Sequence, residues 1–366
     1  MTLRFRFAIA SDLHIALPHT IPDNPYRFHR VEISIPALEQ TLDYLAQLDI
    51  DFLLLPGDLT QDGERDNHQW LAERLTQLPY PVYVVPGNHD FLERHGGDRT
   101  ISVTDFPRYY AKFGYQDTDQ LYYTHLILPE VRLIGLNSVF FGTDGRQIYM
   151  GRMDDTQLLW LEQTLAANEA ELVMVMIHHN VIEHLPGQMQ SPLGRRYMLQ
   201  NAPDLLAILE RYGVNLIFTG HLHVQDVARS GRPDAPIYDI VTGSLVSYPH
   251  PFRILNYRQE AGQRGRLQIE SKRIQPDTPA LAEALMSREF VGDRSQPLML
   301  KLLTSPPLHL SPAEAATLLP HLRYFWADLA DGDAQFQFPQ LPSPVRQYFE
   351  QFSAEQPIDN HAILEV

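Results

Sequence analysis

The stretch Val82-Tyr83-Val84-Val85-Pro86-Gly87-Asn88-His89-Asp90 decides how the chain is read. Val82–Val85 is a short β-branched and aromatic run closed by Pro86 and Gly87, the pattern of a buried strand leaving a core. The polar tetrad Gly87-Asn88-His89-Asp90 then opens a loop. The same arrangement recurs outward along the chain. Asp12-Leu13-His14 follows the apolar run Leu3–Ala10, and Gly57-Asp58 follows Phe52–Leu55. His178-His179 follows Leu172–Ile177, and Gly220-His221-Leu222-His223 follows Leu216–Phe218. Ligands of open α/β sheets bind beyond the carboxyl ends of the strands, so five such loops can converge on one site.

These loops offer two carboxylates (Asp12, Asp58), one amide oxygen (Asn88) and four imidazoles (His14, His178, His221, His223). Seven donors exceed the needs of one divalent ion and suit two ions that share a carboxylate. Two metals roughly 3.5–4 Å apart can clamp a phosphoryl group and activate water. Mixed imidazole and carboxylate ligation favours Mn, Fe, Zn or Co over Mg or Ca. Taken singly, Asp-x-His and Gly-Asp are ordinary turn sequences, and Gly-Asn-His-Asp could be a turn with a solvated histidine. Five strand ends carrying such residues in one chain are far less probable than any one of them.

The order Asp-x-His, Gly-Asp, Gly-Asn-His-Asp, His, Gly-His-x-His resembles the signature of the calcineurin-like metallophosphoesterases, over roughly residues 3–260. In motif form it is most similar to the class III cyclic-nucleotide phosphodiesterases. The resemblance implies a four-layer αββα sandwich with a dinuclear centre at one end. It implies one metal on Asp12, His14, Asp58 and His223, and a second on Asp58, Asn88, His178 and His221, with Asp58 as the bridge. It makes His89 the catalytic histidine that is not a ligand, with Asp90 orienting its imidazole. Asn180 stands where many relatives have proline, so His178 and His179 compete for one ligand position. His178 is preferred because it directly ends the apolar strand.

The expected activity is metal-dependent phosphoester hydrolysis, with a small nucleotide-like or other small phosphodiester as substrate and in-line attack by water held between the ions. Asn88 and His89 would contact the substrate, and His89 would protonate the leaving group. A phosphomonoesterase, a protein phosphatase or a nuclease could use the same centre, and a non-catalytic binding scaffold is the alternative of a different class. Charge bears on these. Twenty-nine Lys and Arg against 45 Asp and Glu give a net charge of −16, which disfavours a polynucleotide groove or an anionic membrane as partner. With no cysteine, thiolate metal sites and disulfides are excluded. No apolar run is long enough for a bilayer, and Asp12 and His14 interrupt the N-terminal one, so a cytoplasmic location is expected.

Residues 1–275 alternate strands with amphipathic helices, an α/β pattern expected to form the metallophosphoesterase domain. Leu38, Leu42, Leu45 and Leu48 mark one helix; Leu158, Leu159, Leu161 and Leu165 mark another. From about Pro236, the runs Ile237–Thr242, Phe252–Tyr257 and Leu267–Ile274 suggest added antiparallel strands. Residues 276–366, punctuated by prolines from Pro276 and Pro279 onward, are expected to form a C-terminal helical extension docked on the core. Ser311-Pro312-Ala313-Glu314 is a capping box. Leu318, Leu322, Phe325 and Leu329 would be buried, with Pro320 forcing a kink. The tail aromatics Phe325, Trp326, Phe336, Phe338, Tyr348 and Phe349 need burial. Surface or capping roles are expected of His68, His125, His250, His309, His321 and His361. The loop with His19 and Tyr26-Arg27-Phe28-His29-Arg30 could contact a substrate or simply pack over the following helix, and Tyr248 and Arg253 could form a pocket wall but read better as strand-turn structure.

Overall fold

The computed structural model describes residues 2–21, 23–24, 27–278, 281–282, 287–355 and 358–366. Tyr26 and Pro279 lie outside the described residues. Two mixed sheets of six strands each face one another. The first contains β1 (Leu3–Ile9), β2 (Phe52–Pro56), β3 (Val82–Val85), β12 (Pro251–Gln259), β13 (Arg266–Arg273) and β14 (Ile363–Glu365), in the order β14-β13-β12-β1-β2-β3. The second contains β4 (Tyr123–Leu128), β5 (Val131–Gly135), β8 (Leu172–Met176), β9 (Leu216–Thr219), β10 (Asp226–Arg232) and β11 (Ala235–Val241), in the order β10-β11-β9-β8-β5-β4. A small hairpin, β6 (Phe140–Phe141) and β7 (Gln147–Ile148), stands apart.

Strand alternation assigns the layers. Leu172, Met174 and Met176 of β8 and Leu216 and Phe218 of β9 join the core shared with Phe7 and Phe52 of the other sheet. Val175 and Ile217, pointing the other way, pack with Leu161 and Leu165 of one helix (Asp155–Ala166) and Leu205 and Leu209 of another (Ala202–Arg211). Helices Ser34–Leu45 and Arg65–Leu75 contribute Leu38, Leu42 and Leu71 to the first sheet's core. The result is the expected four-layer αββα sandwich. Leu159 departs from the expected stripe and is exposed.

The late strands divide between the sheets. β12 adds antiparallel to β1 and β13 antiparallel to β12, as expected, but β11 runs parallel to β9 and is reached through a hairpin with β10. The edge strands β4, β10 and β14 were not expected from the sequence. Asp226–Arg232 is too polar to show a buried face, and an edge strand needs only one paired side.

In the tail, the capping box forms at Ser311 and Glu314. The helix Pro312–Leu318 gives way to a tighter turn across Pro320 and restarts as Phe325–Asp331. Phe325, Phe336 and Phe349 are buried with Leu222, Val224 and Val241 of the core, so the tail packs behind the Gly-His-x-His loop. It is not helical throughout, since β14 closes the first sheet. Among the described residues no helix is long and apolar enough to cross a membrane.

Candidate metal centre

The five loops do converge. Asp12, His14, Asp58 and His223 bring one donor atom each to within 4.8 Å of one another, as do Asp58, His178 and His221. Asp58 belongs to both groups. His14 Nε2 and His178 Nε2 lie 3.8 and 3.3 Å from Asp58 Oδ2. His223 Nε2 lies 3.2 Å from Asp12 Oδ1, and Asn88 Oδ1 is 3.1 Å from His178 Nε2.

Backbone strain accompanies this convergence. Asp12, His14, Asp58, His221 and His223 all adopt positive φ, between 43° and 67°. Such conformations cost energy in residues with a Cβ and collect where the surrounding structure fixes a functional side chain. Two glycines make room for the carboxylates. A Cβ on Gly87 would lie 2.2 Å from Asp58 Oδ1, and one on Gly220 would lie 2.5 Å from Asp12 Oδ2.

Each donor is held by a partner behind it. Asp58 Oδ1 accepts the His89 backbone N–H at 2.8 Å. The His221 N–H reaches Asp12 at 3.0 Å, and the Ser11 hydroxyl donates to Asp12 Oδ2 at 2.5 Å. His178 Nδ1–H donates to the Pro56 carbonyl at 2.9 Å, which turns Nε2 toward Asp58 and makes it the atom that could ligate a metal. His179 turns away, its Nδ1 2.8 Å from Ser138 Oγ.

The protonation landscape is that of buried donors around one anion. Burial alone would depress His178, but the Asp58 carboxylate overrides this and holds it at about 9. Burial would raise Asp58, yet the neighbouring imidazoles, His178 foremost, hold it well below the usual carboxylate range. His14 and His221 are lowered, first by burial and then by adjacent imidazoles. Neutral imidazoles and ionised carboxylates are the ligand forms of such metals, and the donor set of carboxylate, amide and imidazole fits two divalent ions.

His89 stands beside this cluster, its ring centroid 4.7 Å from that of His14. The expectation that Asp90 orients it is corrected by the structure. Asp90 is buried, and its carboxylate accepts the backbone N–H groups of Gly87 (2.8 Å) and Thr60 (2.9 Å). His89 Nδ1–H instead donates to the Gln61 carbonyl at 2.7 Å, with Asp62 Oδ1 3.7 Å away. Asp90 sits at the closing end of the tetrad's turn, so its short side chain reaches back to the Gly87 amide and ties the turn to Thr60 in the loop after Asp58.

Three histidines were underestimated in the sequence. His29 stacks on His14 with ring centroids 4.2 Å apart, and its Nε2 lies 2.7 Å from Gln61 Oε1. His68 is fully buried behind the tetrad, bonded to the Asp90 carbonyl and Tyr110. His250 is also buried and joins Ser287 of the tail at 2.8 Å. None has a spacing signal, because loop and tail contacts place all three. Arg253 is buried against the Val241 and Asp359 carbonyls, a structural role as expected.

A two-sheet sandwich whose strand ends gather this donor set is a metallophosphatase fold. The chain belongs to the calcineurin-like phosphoesterase family, whose model matches residues 5–225. It is 29% identical over 181 residues to a "Probable cyclic nucleotide phosphodiesterase" of Moraxella catarrhalis, covering 48% of this chain and 59% of that one. It is 27% identical over 179 residues to a "Probable glycerophosphodiester phosphodiesterase" of Arcobacter nitrofigilis, covering 47% and 56%. The match thus spans less than two thirds of either relative's length. A dimetal phosphatase from Danio rerio shares the fold, with a TM-score of 0.52 at 16% identity over 74% of this chain and 96% of that one.

Proposed function

We infer that the protein is a dinuclear-metal-dependent phosphodiesterase acting on a small nucleotide-like or other small phosphodiester. The observation that carries this reading is the position of Asp58, whose carboxylate is common to both donor groups. One ion would be held by Asp12, His14, Asp58 and His223, the other by Asp58, Asn88, His178 and His221. Two divalent ions there would neutralise the non-bridging phosphoryl oxygens and supply an activated water. Mn, Fe, Zn and Co match the donor chemistry.

The chain's own residues do the rest. The Gln61 carbonyl holds the Nδ1 proton of His89. Burial opposes protonation of His89, but Asp58, Asp62 and the Gln61 carbonyl together outweigh it and raise the imidazole to about 9, so Nε2 carries a proton to give to a leaving alkoxide. Asn88 and His89 are the substrate contacts on this reading. The described part of the tail caps the loop of His221 and His223, packing Phe325, Phe336 and Phe349 with Leu222. Both relatives named as phosphodiesterases support diesters over monoesters.

The test is a panel of cyclic nucleotides, dinucleotides, glycerophosphodiesters and phosphomonoesters offered to metal-loaded protein. Hydrolysis of one diester class well above the monoesters is expected. Hydrolysis of monoesters alone would replace the reading with a phosphatase.

A further inference from the structure

Three guanidiniums gather in the loop that carries His29 and on the tail helix facing it. Arg27, Arg30 and Arg294, with Asn24, Glu32 and Phe290, line a cleft of about 220 Å³ between the loop after Asp-x-His and the tail helix Ser287–Arg294. Glu32 is the one carboxylate in that lining, and it pairs with Arg27. Arg30 and Arg294 each place a guanidinium 5.1 Å from the centroid of the same ring, Phe290. Among the described residues neither forms an ion pair.

The rest of the helix sharpens the contrast. Arg288 pairs with Asp328, and Glu289 and Asp293 both pair with Arg323. Arg294 is the charged side chain of that helix left without a counter-ion among the described residues. Guanidiniums flanking one ring lie within about 10 Å of each other; salt screens much of their repulsion at that range, and an anion held between them would meet both. A protein with a net charge of −16 has carboxylates in excess, yet among the described residues Glu32 is the carboxylate that lines the cleft. Planar guanidinium forks match phosphate bidentately. The volume is below the roughly 300–1,000 Å³ of pockets that enclose whole drug-sized ligands, so the cleft fits an anionic group rather than an entire nucleotide.

The cleft is tied to the catalytic end. Arg30 follows His29, whose ring lies on His14, and the Arg30 N–H is fixed on the Val246 carbonyl at 2.8 Å. We propose that Arg27, Arg30 and Arg294 form a second phosphate-binding site, which receives an additional phosphate carried by the substrate; this assignment of the source rests on the phosphodiesterase reading above.

The experiment compares TpT with pTpT, which adds a terminal phosphate, on metal-loaded wild type and on the double variant Arg30→Gln/Arg294→Gln. Wild type should favour pTpT in kcat/KM by about tenfold or more, and the double variant should fall to within about twofold, the scale of charged hydrogen bonds lost. Arg294→Lys, keeping the charge without the fork, should retain part of the preference. If the double variant melts early, the single variant Arg294→Gln is read in its place. Equilibrium dialysis with radiolabelled inorganic phosphate separates the sources. One phosphate more per wild-type chain than per variant chain, with an unchanged pTpT preference, makes the ligand free phosphate rather than substrate. If wild type hydrolyses no diester, the phosphodiesterase reading fails and the dialysis alone decides the cleft. Equal preference and equal phosphate stoichiometry in both proteins overturn the site.

Discussion

His14 Nε2 and His223 Nε2 face each other at 3.4 Å, although 209 residues separate them in sequence. Two neutral imidazoles at that distance satisfy each other only if one gives up its role as acceptor. A cation between them and the carboxylates of Asp12 and Asp58 satisfies every donor at once. The fold thus assembles the candidate metal centre by bringing two distant strand ends together, and positive φ at both histidines shows the backbone strained to do so.

His89 is predicted to be removable without loss of the ions. General acid catalysis contributes on the order of 10²–10⁴-fold, so His89→Ala should lose about that much turnover at unchanged metal content. The loss should shrink for nitrophenolate esters, whose leaving group needs little protonation. An equal loss for good and poor leaving groups would restrict His89 to charge stabilisation.

Asp90 is predicted to act on the turn and not on the imidazole. Asp90→Ala leaves the Gly87 and Thr60 amides without an acceptor, at about 1–3 kcal/mol for each unsatisfied group. The melting temperature should drop, and metal affinity should weaken because Asn88 lies in that turn. Unchanged stability with an altered leaving-group dependence would return Asp90 to its expected role as the partner of His89.

How much of this was legible follows from where each residue gets its position. That the seven candidate donors come together could be read because strand ends are local features: a short apolar run, then Gly, Asp, Asn or His. The same runs gave an α/β pattern with added antiparallel strands, and the pair of sheets came from the family resemblance. Edge strands such as Asp226–Arg232 were hidden because pairing, not burial, holds them. The partner of His89 was misread because adjacency in sequence suggested Asp90, whereas Gln61 arrives from another loop. His29 and His250 carry no period at all, and only tertiary contacts reveal them.

The tail is predicted to be part of the folded unit. Phe349 is fully buried, in contact with the rings of Phe325 and Phe338, and Phe349→Ala should cost about 3–5 kcal/mol. Denaturant unfolding followed by circular dichroism measures it. A separate early transition that leaves the core's midpoint unmoved would show the tail to be an independent unit.

His184 gives the stability a pH dependence away from the metal centre. It is buried, which would depress it, but Asp239 and Asp226 override this and raise it to about 10. A folded-state value above the ordinary 6.5 means that its stabilisation is complete below pH 6.5 and is lost as the pH rises toward 10. The gap in melting temperature between wild type and His184→Gln should therefore narrow across that window. A gap that stays constant or widens would contradict the ion pair with Asp226 and Asp239.

The central claim is that Asp58 serves two ions at once. Its most direct test is metal content per chain, by mass spectrometry, for wild type and Asp58→Ala purified side by side, with turnover of bis(p-nitrophenyl) phosphate recorded on the same samples. The account predicts two ions and active wild type, and one ion or none with turnover abolished in the variant. Two retained ions and near-normal turnover in Asp58→Ala would contradict it.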